Sequence, residues 1–179
     1  MDIIVAIAQI VSITAMVLNI LSMQCRSNRK FFICQETAGL LFSASFFMLG
    51  AWGGALMDFF GIIRPELLRH EKIAKSKYTL LLLIFLLAIC TLAVFFLSEE
   101  RWYFILMVSA AQLAGTLGMW TRNGKTIRLC QLLIVSPLWL IYDILIPTPS
   151  IGGILTEIFN MSSVYIALYR YRKIGFTER

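Results

Sequence analysis

Residues 78–97 read YTLLLLIFLLAICTLAVFFL, twenty positions without a charged side chain. The hydrocarbon core of a bilayer is about 30 Å thick, and an α-helix needs about 20 apolar residues to cross it. The stretch has that length, and charged residues stand on both sides of it, at Lys77 and Glu99. It therefore predicts a transmembrane helix.

The rest of the chain follows the same pattern. Of its 179 residues, 59% are hydrophobic and 15% are charged, whereas soluble domains average nearly half apolar and about a quarter charged. The apolar residues fall in blocks of nearly twenty, joined by short segments, which leaves no room for a soluble domain. We predict an all-α membrane protein in which residues 1–179 form a single membrane domain.

Six further apolar blocks bring the number of predicted transmembrane helices to seven. Their expected ranges are 3–23, 31–48, 53 to about 68, 78–97, 102–120, 128 to about 146 and 150–169. Pro65 is expected to end or kink the third helix, because proline lacks a backbone donor. Basic residues follow the first block rather than precede it, so we expect a retained helix and not a signal peptide.

The basic residues indicate the orientation. Fifteen of the sixteen Lys and Arg residues fall in joints on one side of the seven helices, and only Arg101 falls on the other. Because cytoplasmic loops carry an excess of Lys and Arg, we expect the N-terminus outside and the C-terminus in the cytoplasm. Topology accounts for the net charge of +6, and no nucleic-acid partner is expected.

Three short motifs occur twice and in the same order. Ala8-Gln9 matches Ala111-Gln112, Cys34-Gln35 matches Cys130-Gln131, and GGALMD at 53–58 matches GGILTE at 152–157. The matches predict two parallel three-helix repeats, residues 3–77 and 102–173, joined by a linker helix at 78–97.

The foremost candidate site residues are Asp58 and Glu157. Each stands five residues after the first glycine of its Gly-Gly motif, which places both at matching depth, roughly 7 to 8 Å along the helix. Ionisable residues inside a membrane usually face the protein interior and mark solute or proton pathways. The alternative is that each carboxyl only accepts hydrogen bonds from a neighbouring helix or is protonated and inert.

Further candidates for a substrate pocket are Trp139, Asn160, Gln112 and Gln9. Trp139 is suited to stack on a sugar or a base-like ring, although it also fits an interfacial aromatic belt, as Tyr142 does more readily. The polar residues either line a pathway or hydrogen-bond between helices. Asp143 is expected near the outer surface in contact with solvent.

Neither metal nor cofactor is expected. The four cysteines form no CxxC pair, and the one histidine, His70, lies in a charged segment. No phosphate loop, GxSxG or HExxH motif occurs, so we expect no enzymatic activity.

The ordered motifs resemble the YgjV-type bacterial inner-membrane proteins over nearly the whole chain. The residues that carry the resemblance are Ala8-Gln9, FFMLGA at 46–51 with Gly53-Gly54, Trp139, and Ile151-Gly152-Gly153 followed by Glu157. The resemblance implies a multi-pass protein of the bacterial inner membrane.

The three-plus-one-plus-three plan is also distantly similar to the SWEET sugar transporters and PQ-loop proteins. That likeness implies a pocket lined by the third helix of each triplet, where Asp58 and Glu157 stand, and a helix-bending role for Pro137. The chain departs from that family, because it has no PQ dipeptide and carries Gly61 where those proteins tend to carry an arginine.

These patterns favour a small-solute transporter or facilitator that alternates access between two helix triplets. Its partners would be the lipid bilayer and a small polar solute, and the plan is also compatible with a homo-oligomer. The alternative is a non-transporting membrane scaffold or regulatory protein.

Overall fold

The computed structural model describes residues 3–74, 76–98, 101–146 and 149–172. The helices are α1 (Ile3–Gln24), α2 (Asn28–Met48), α3 (Trp52–Arg69), α4 (Glu71–Ala74), α5 (Lys77–Leu97), α6 (Trp102–Trp120), α7 (Gly124–Cys130), α8 (Ser136–Leu145) and α9 (Ile151–Tyr171), with a π-helical turn at Gln131–Val135 between α7 and α8. No strand occurs within the described ranges. The prediction of an all-α protein is confirmed. The acidic pair at 99–100, the Pro-Thr pair at 147–148 and the tail at 173–179 lie outside the described residues.

Six of the described segments are long and apolar enough to cross a bilayer, namely α1, α2, α5, α6, the continuous α7–α8 rod at Gly124–Leu145, and α9. α3 is not among these segments, because its 18 residues include four charged ones, Asp58, Arg64, Glu66 and Arg69. The described residues therefore contain six candidate spans, one fewer than the seven predicted. Pro65 does not end α3, since the helix continues to Arg69.

Local chemistry sets several helix ends. Ser76, Asn123 and Ser150 cap α5, α7 and α9 by accepting hydrogen bonds from backbone N–H groups of the first turn, which have no partner inside the helix. Between α2 and α3 the chain reverses at Gly50, whose φ of 75° is strained for residues with a Cβ.

Six rods form a closed ring. α1 contacts α2, α2 contacts α3, and α3 contacts α6; α6 contacts the α7–α8 rod, the rod contacts α9, and α9 returns to α1. α5 lies outside the ring against α3 and α6. Its buried residues are Thr79, Leu83, Leu87 and Val94, which fall on one helical face. The other faces of α5 carry exposed apolar side chains.

Two arginines grouped by sequence with the cytoplasmic loops are buried instead. Arg64 is 7% exposed and Arg128 is 2% exposed. Arg128 donates from Nε and Nη2 to Met23 O at 3.1 and 2.8 Å, and from Nη2 to Cys25 O at 2.8 Å. Because the last carbonyls of a helix have no partner inside it, Arg128 caps the end of α1. A count of charges along the sequence does not distinguish an arginine that caps a buried helix end from one that is solvated in a loop.

Candidate functional site

The helices of the ring line a partly open cavity of about 70 Å³. Every member of the ring contributes to its wall, and the polar members of the wall are Asn19, Gln35, Asp58, Arg64, Gln112, Gln131, Asp143, Thr156 and Glu157. The volume holds a few water molecules or a solute of a few non-hydrogen atoms. A polar cavity at the centre of a membrane protein is the expected position of a solute or proton pathway.

Asp58 and Glu157 both line this cavity. Each is the seventh residue of its helix, because α3 begins at Trp52 and α9 at Ile151. Glu157 is 7% exposed, and Ser136 and Asn160 lie beside its carboxyl. Its Oε2 has no hydrogen-bond partner among the described residues. Since a buried acceptor without a donor costs about 1–3 kcal/mol, this oxygen is suited to receive a donor from a ligand.

A third carboxyl, Asp143, belongs to the same cavity. Asp143 is 2% exposed, so the expectation of a solvated residue near the surface was wrong. Its Oδ1 has no partner within the described part of the chain. A Cβ on Gly153 would lie 2.5 Å from Oδ2 and 2.8 Å from Oδ1. The glycine at the start of α9 therefore makes the room that this carboxyl occupies.

Arg64 lies in the cavity wall on the side of α6. Its Nη1 donates to the Gln112 side-chain Oε1 at 2.8 Å and to the Gln112 backbone O at 3.2 Å. The Gln112 amide in turn donates from Nε2 to Met57 O at 3.1 Å. Gly115 leaves space for the guanidinium, because a Cβ there would lie 3.0 Å from Arg64 Nη1. Gln112 thus holds a buried positive charge and also lines the cavity.

An aromatic group lies at the end of the ring where α2 and α8 end and α6 begins. Phe46 stacks on Trp139 at 6.2 Å between ring centroids, and Tyr142 makes edge contacts with Phe46, Trp139 and Phe104. Trp139 lines the cavity, as the sequence indicated. Tyr142 is fully buried, so its expected place in an interfacial belt was wrong.

The other end of the cavity is polar. Gln35 donates from Nε2 to Asn19 Oδ1 at 2.6 Å and to Ser22 Oγ at 2.7 Å. Gln131 donates to Ser136 Oγ at 3.1 Å. The two ends of the cavity therefore differ, with aromatic rings at one and hydrogen-bonding side chains at the other.

Two predicted site residues lie outside the wall. Asn160 is fully buried behind Glu157 and donates weakly to Ser136 Oγ at 3.5 Å. Gln9 faces the start of α9, where its Nε2 donates to Pro149 O at 3.5 Å. The structure thus brings together Asp58, Glu157, Trp139 and Gln112, places Asn160 directly behind them, and leaves Gln9 apart.

The family comparison agrees with this architecture. A family model described as a bacterial inner membrane protein, Imp-YgjV, matches residues 6–174. The chain belongs to the YgjV family of bacterial inner membrane proteins. No curated protein and no solved structure matches it. Family membership and six apolar helices make this YgjV-family protein a multi-pass protein of the bacterial inner membrane.

Sequence reasoning missed two charged cavity residues in this YgjV-family chain, Asp143 and Arg64. A signal for Asp143 was present, because Asp143 lies four residues after Trp139 and residues four apart share one helical face. Arg64 lies six residues after Asp58, which turns it about 120° from that residue, so helical spacing gave no signal for it.

Proposed function

We propose that this protein is a transporter or facilitator for a small polar solute, which passes through the cavity between its helices. The observation that carries the proposal is that Asp58 and Glu157, at the same depth of two helices far apart in sequence, line one internal cavity. Membrane interiors tolerate such carboxyls mainly where they serve a pathway. We propose no enzymatic activity and no cofactor.

We further propose that α3 is a seventh span and that the ring consists of two triplets, α1–α3 and α6–α9, linked by α5. The pairing of the ring supports this layout. α1 of one triplet contacts α9 of the other, and α3 contacts α6, as expected where two parallel repeats face each other across an axis. α3 packs along α2, which supports its crossing the bilayer in spite of its charges.

The proposed orientation has the N-terminus outside and the C-terminus in the cytoplasm. It places Arg101 outside and the joints at 25–30 and 121–125 in the cytoplasm, in keeping with the positive-inside rule. Single cysteines at Ser27 and Ser98, in a chain whose four native cysteines are replaced by serine, test it. A membrane-impermeant maleimide applied to intact cells is expected to label the residue 98 cysteine alone; labelling at 27 would contradict the orientation.

Alternating access would move one triplet against the other. In the proposed orientation the aromatic group of Phe46, Phe104, Trp139 and Tyr142 closes the outer end, since it joins α2 to α6 and α8. The π-helical turn before Pro137 provides a place for the sixth span to bend. Separation of Phe46 from Trp139 would open the outer path.

Uptake by vesicles that contain the purified full chain tests the proposal. The screen covers sugars, nucleosides, amines and metal ions, and the double variant Asp58→Asn, Glu157→Gln is compared with the parent. We expect uptake of one solute class and its loss by tenfold or more in the double variant. Glu36→Gln is the matched control, because Glu36 lies outside the cavity near Arg69. Full uptake by the double variant would refute the carboxylate role, and no uptake of any solute would favour the scaffold alternative.

A further inference from the structure

Two carboxyls of the cavity carry oxygens that the described part of the protein leaves without donors. Asp143 is 2% exposed and Glu157 is 7% exposed, and both line the cavity. Asp143 Oδ1 and Glu157 Oε2 have no hydrogen-bond partner among the described residues. Native proteins rarely leave buried acceptors in this condition, so each unpartnered oxygen points to a donor supplied from outside the chain.

Within the described ranges Arg64 forms no salt bridge with either of these carboxyls. Arg64 is held on the α6 side by Gln112, and the acidic group with which it interacts electrostatically is Asp58. The charged groups that act on Asp143 are Glu157 and Asp58, both acidic. Among the described residues no basic side chain forms a salt bridge with Asp143 or Glu157. Within the described part of the chain, Asp143 and Glu157 therefore have no salt-bridge partner.

The side chains of the cavity wall limit which kind of cation could bind to Asp143 and Glu157. Nowhere in the described ranges do three His, Cys, Asp or Glu side chains come close enough to hold one metal ion. Separate acceptors instead suit a cation that carries several N–H donors. Trp139 lies four residues before Asp143 in α8 and lines the same cavity, where an indole can attract a cation by its face. A cavity of about 70 Å³ admits only a few non-hydrogen atoms.

We infer that Asp143 and Glu157 form a binding site for a small organic monocation with N–H donors, of the ammonium or guanidinium type. The inference rests on the proposed transport function and names the substrate class of the same cavity. The cation donates to Asp143 Oδ1 and Glu157 Oε2, and its single positive charge balances one of the two carboxyls. Asp143, which the sequence placed at the surface, becomes a specificity-determining residue.

Guanidinium and urea are the probes that test it, because the two have the same shape and similar N–H donors but only guanidinium is charged. Binding to the purified full chain in detergent is measured by calorimetry at millimolar probe concentrations. Guanidinium is expected to bind at least about tenfold more tightly than urea, since hydrogen bonds to charged groups are about twice as strong as neutral ones. Tetramethylammonium, which is charged but has no N–H donor, is expected to bind as weakly as urea.

The variants Asp143→Asn and Glu157→Gln keep the shape of each side chain and remove its charge. Each is expected to weaken guanidinium binding at least about tenfold. Glu66→Gln is the matched control, because that carboxyl contacts Arg69 and His70 outside the cavity. If a variant does not fold, protection of the parent against thermal unfolding by guanidinium, compared with protection by urea, tests the same site. Equal binding of guanidinium and urea, parent-like binding by both variants, or no guanidinium binding by the parent would overturn the inference.

Vesicle uptake distinguishes the transport proposal from the cation-site proposal. Guanidinium binding without uptake of any solute would sustain the cation site and refute transport. Uptake of a neutral solute without guanidinium binding would sustain transport and refute the cation site. Radiolabelled guanidinium uptake that both Asp143→Asn and Glu157→Gln abolish would support both.

Discussion

Gly152 lies at the closest approach of α9 to α1, and its replacement by alanine offers a sharp test of the packing. A Cβ at this position would overlap the Ser12 hydroxyl and would lie 2.5 Å from Ser12 Cβ and 2.8 Å from its backbone carbon. Carbon atoms in contact stand about 3.5–4.0 Å apart, so α1 must retreat by roughly 1 Å. Overpacking of this kind costs about 1–3 kcal/mol.

Gly39 provides the matched control, because α2 there crosses α3 with more room. A Cβ on Gly39 would meet the backbone of Gly61 at 3.5 Å, which is ordinary van der Waals contact. Gly39→Ala should therefore keep the gain of about 0.5–1 kcal/mol that alanine has over glycine inside a helix. The two substitutions are chemically identical and differ only in what the new methyl group meets.

The expected difference in stability between the two variants is about 1.5–4 kcal/mol. At about 2–4 °C per kcal/mol for a chain of this size, their melting temperatures in detergent should differ by roughly 3–16 °C. Thermal unfolding followed by intrinsic fluorescence measures the difference. If the melting temperature of the Gly152→Ala variant equals or exceeds that of the Gly39→Ala variant, the close packing of α9 against α1 is refuted.

Three further substitutions test the site and its supports. Gly153→Ala should displace the Asp143 carboxyl and weaken guanidinium binding, and unchanged binding would contradict this. Its melting temperature should fall less than that of Gly152→Ala, because the new methyl group meets a side chain and not backbone. Arg128→Met should lower stability by about 2–4 kcal/mol through loss of hydrogen bonds to the end of α1, whereas exposed Lys125→Met should lie within about 0.5 kcal/mol of the parent by the same thermal assay. Gln112→Leu should cost about 2 kcal/mol by removing the Oε1 acceptor that Arg64 Nη1 contacts at 2.8 Å, which leaves only the longer contact with Thr116 Oγ1 among the side-chain acceptors of the described residues. Failure of Gln112→Glu to restore the melting temperature would refute that role.

Most of the helical architecture could be predicted because hydrophobicity alone dictates it. The uncharged stretch at 78–97 agrees with α5 to within one residue, and the predicted helix at 102–120 coincides with α6. Single residues were harder to place. A composition count cannot separate a buried arginine that caps a helix, as Arg128 does, from one that is solvated in a loop.

The position of Gln9 shows where a repeat pattern misleads. Gln9 and Gln112 occupy matching motifs, yet only Gln112 reaches the cavity. Gln112 is drawn inward because Arg64 donates to its Oε1. In the other half, the position six residues after Glu157 carries Ser163, which bonds instead with Gln24 and Ile20. A helix-helix contact thus depends on the partner residue as much as on the motif itself.

The α7–α8 rod shows how backbone geometry completes the site. Gln131, Val135, Trp139 and Asp143 all line the cavity at intervals of four residues. In a regular α-helix four residues turn about 400°, so three such steps would carry the last residue about 120° away from the first. The π-helical turn at Gln131–Val135 holds more residues per turn, with Ser136 N–H donating to Gln131 O, and this underwinding offsets part of the drift. Pro137 favours it, because a proline cannot donate to the carbonyl four residues earlier and clashes with it in a regular helix. Asp143 therefore lies nearer the face that Gln131 occupies than a regular helical period applied across Pro137 predicts.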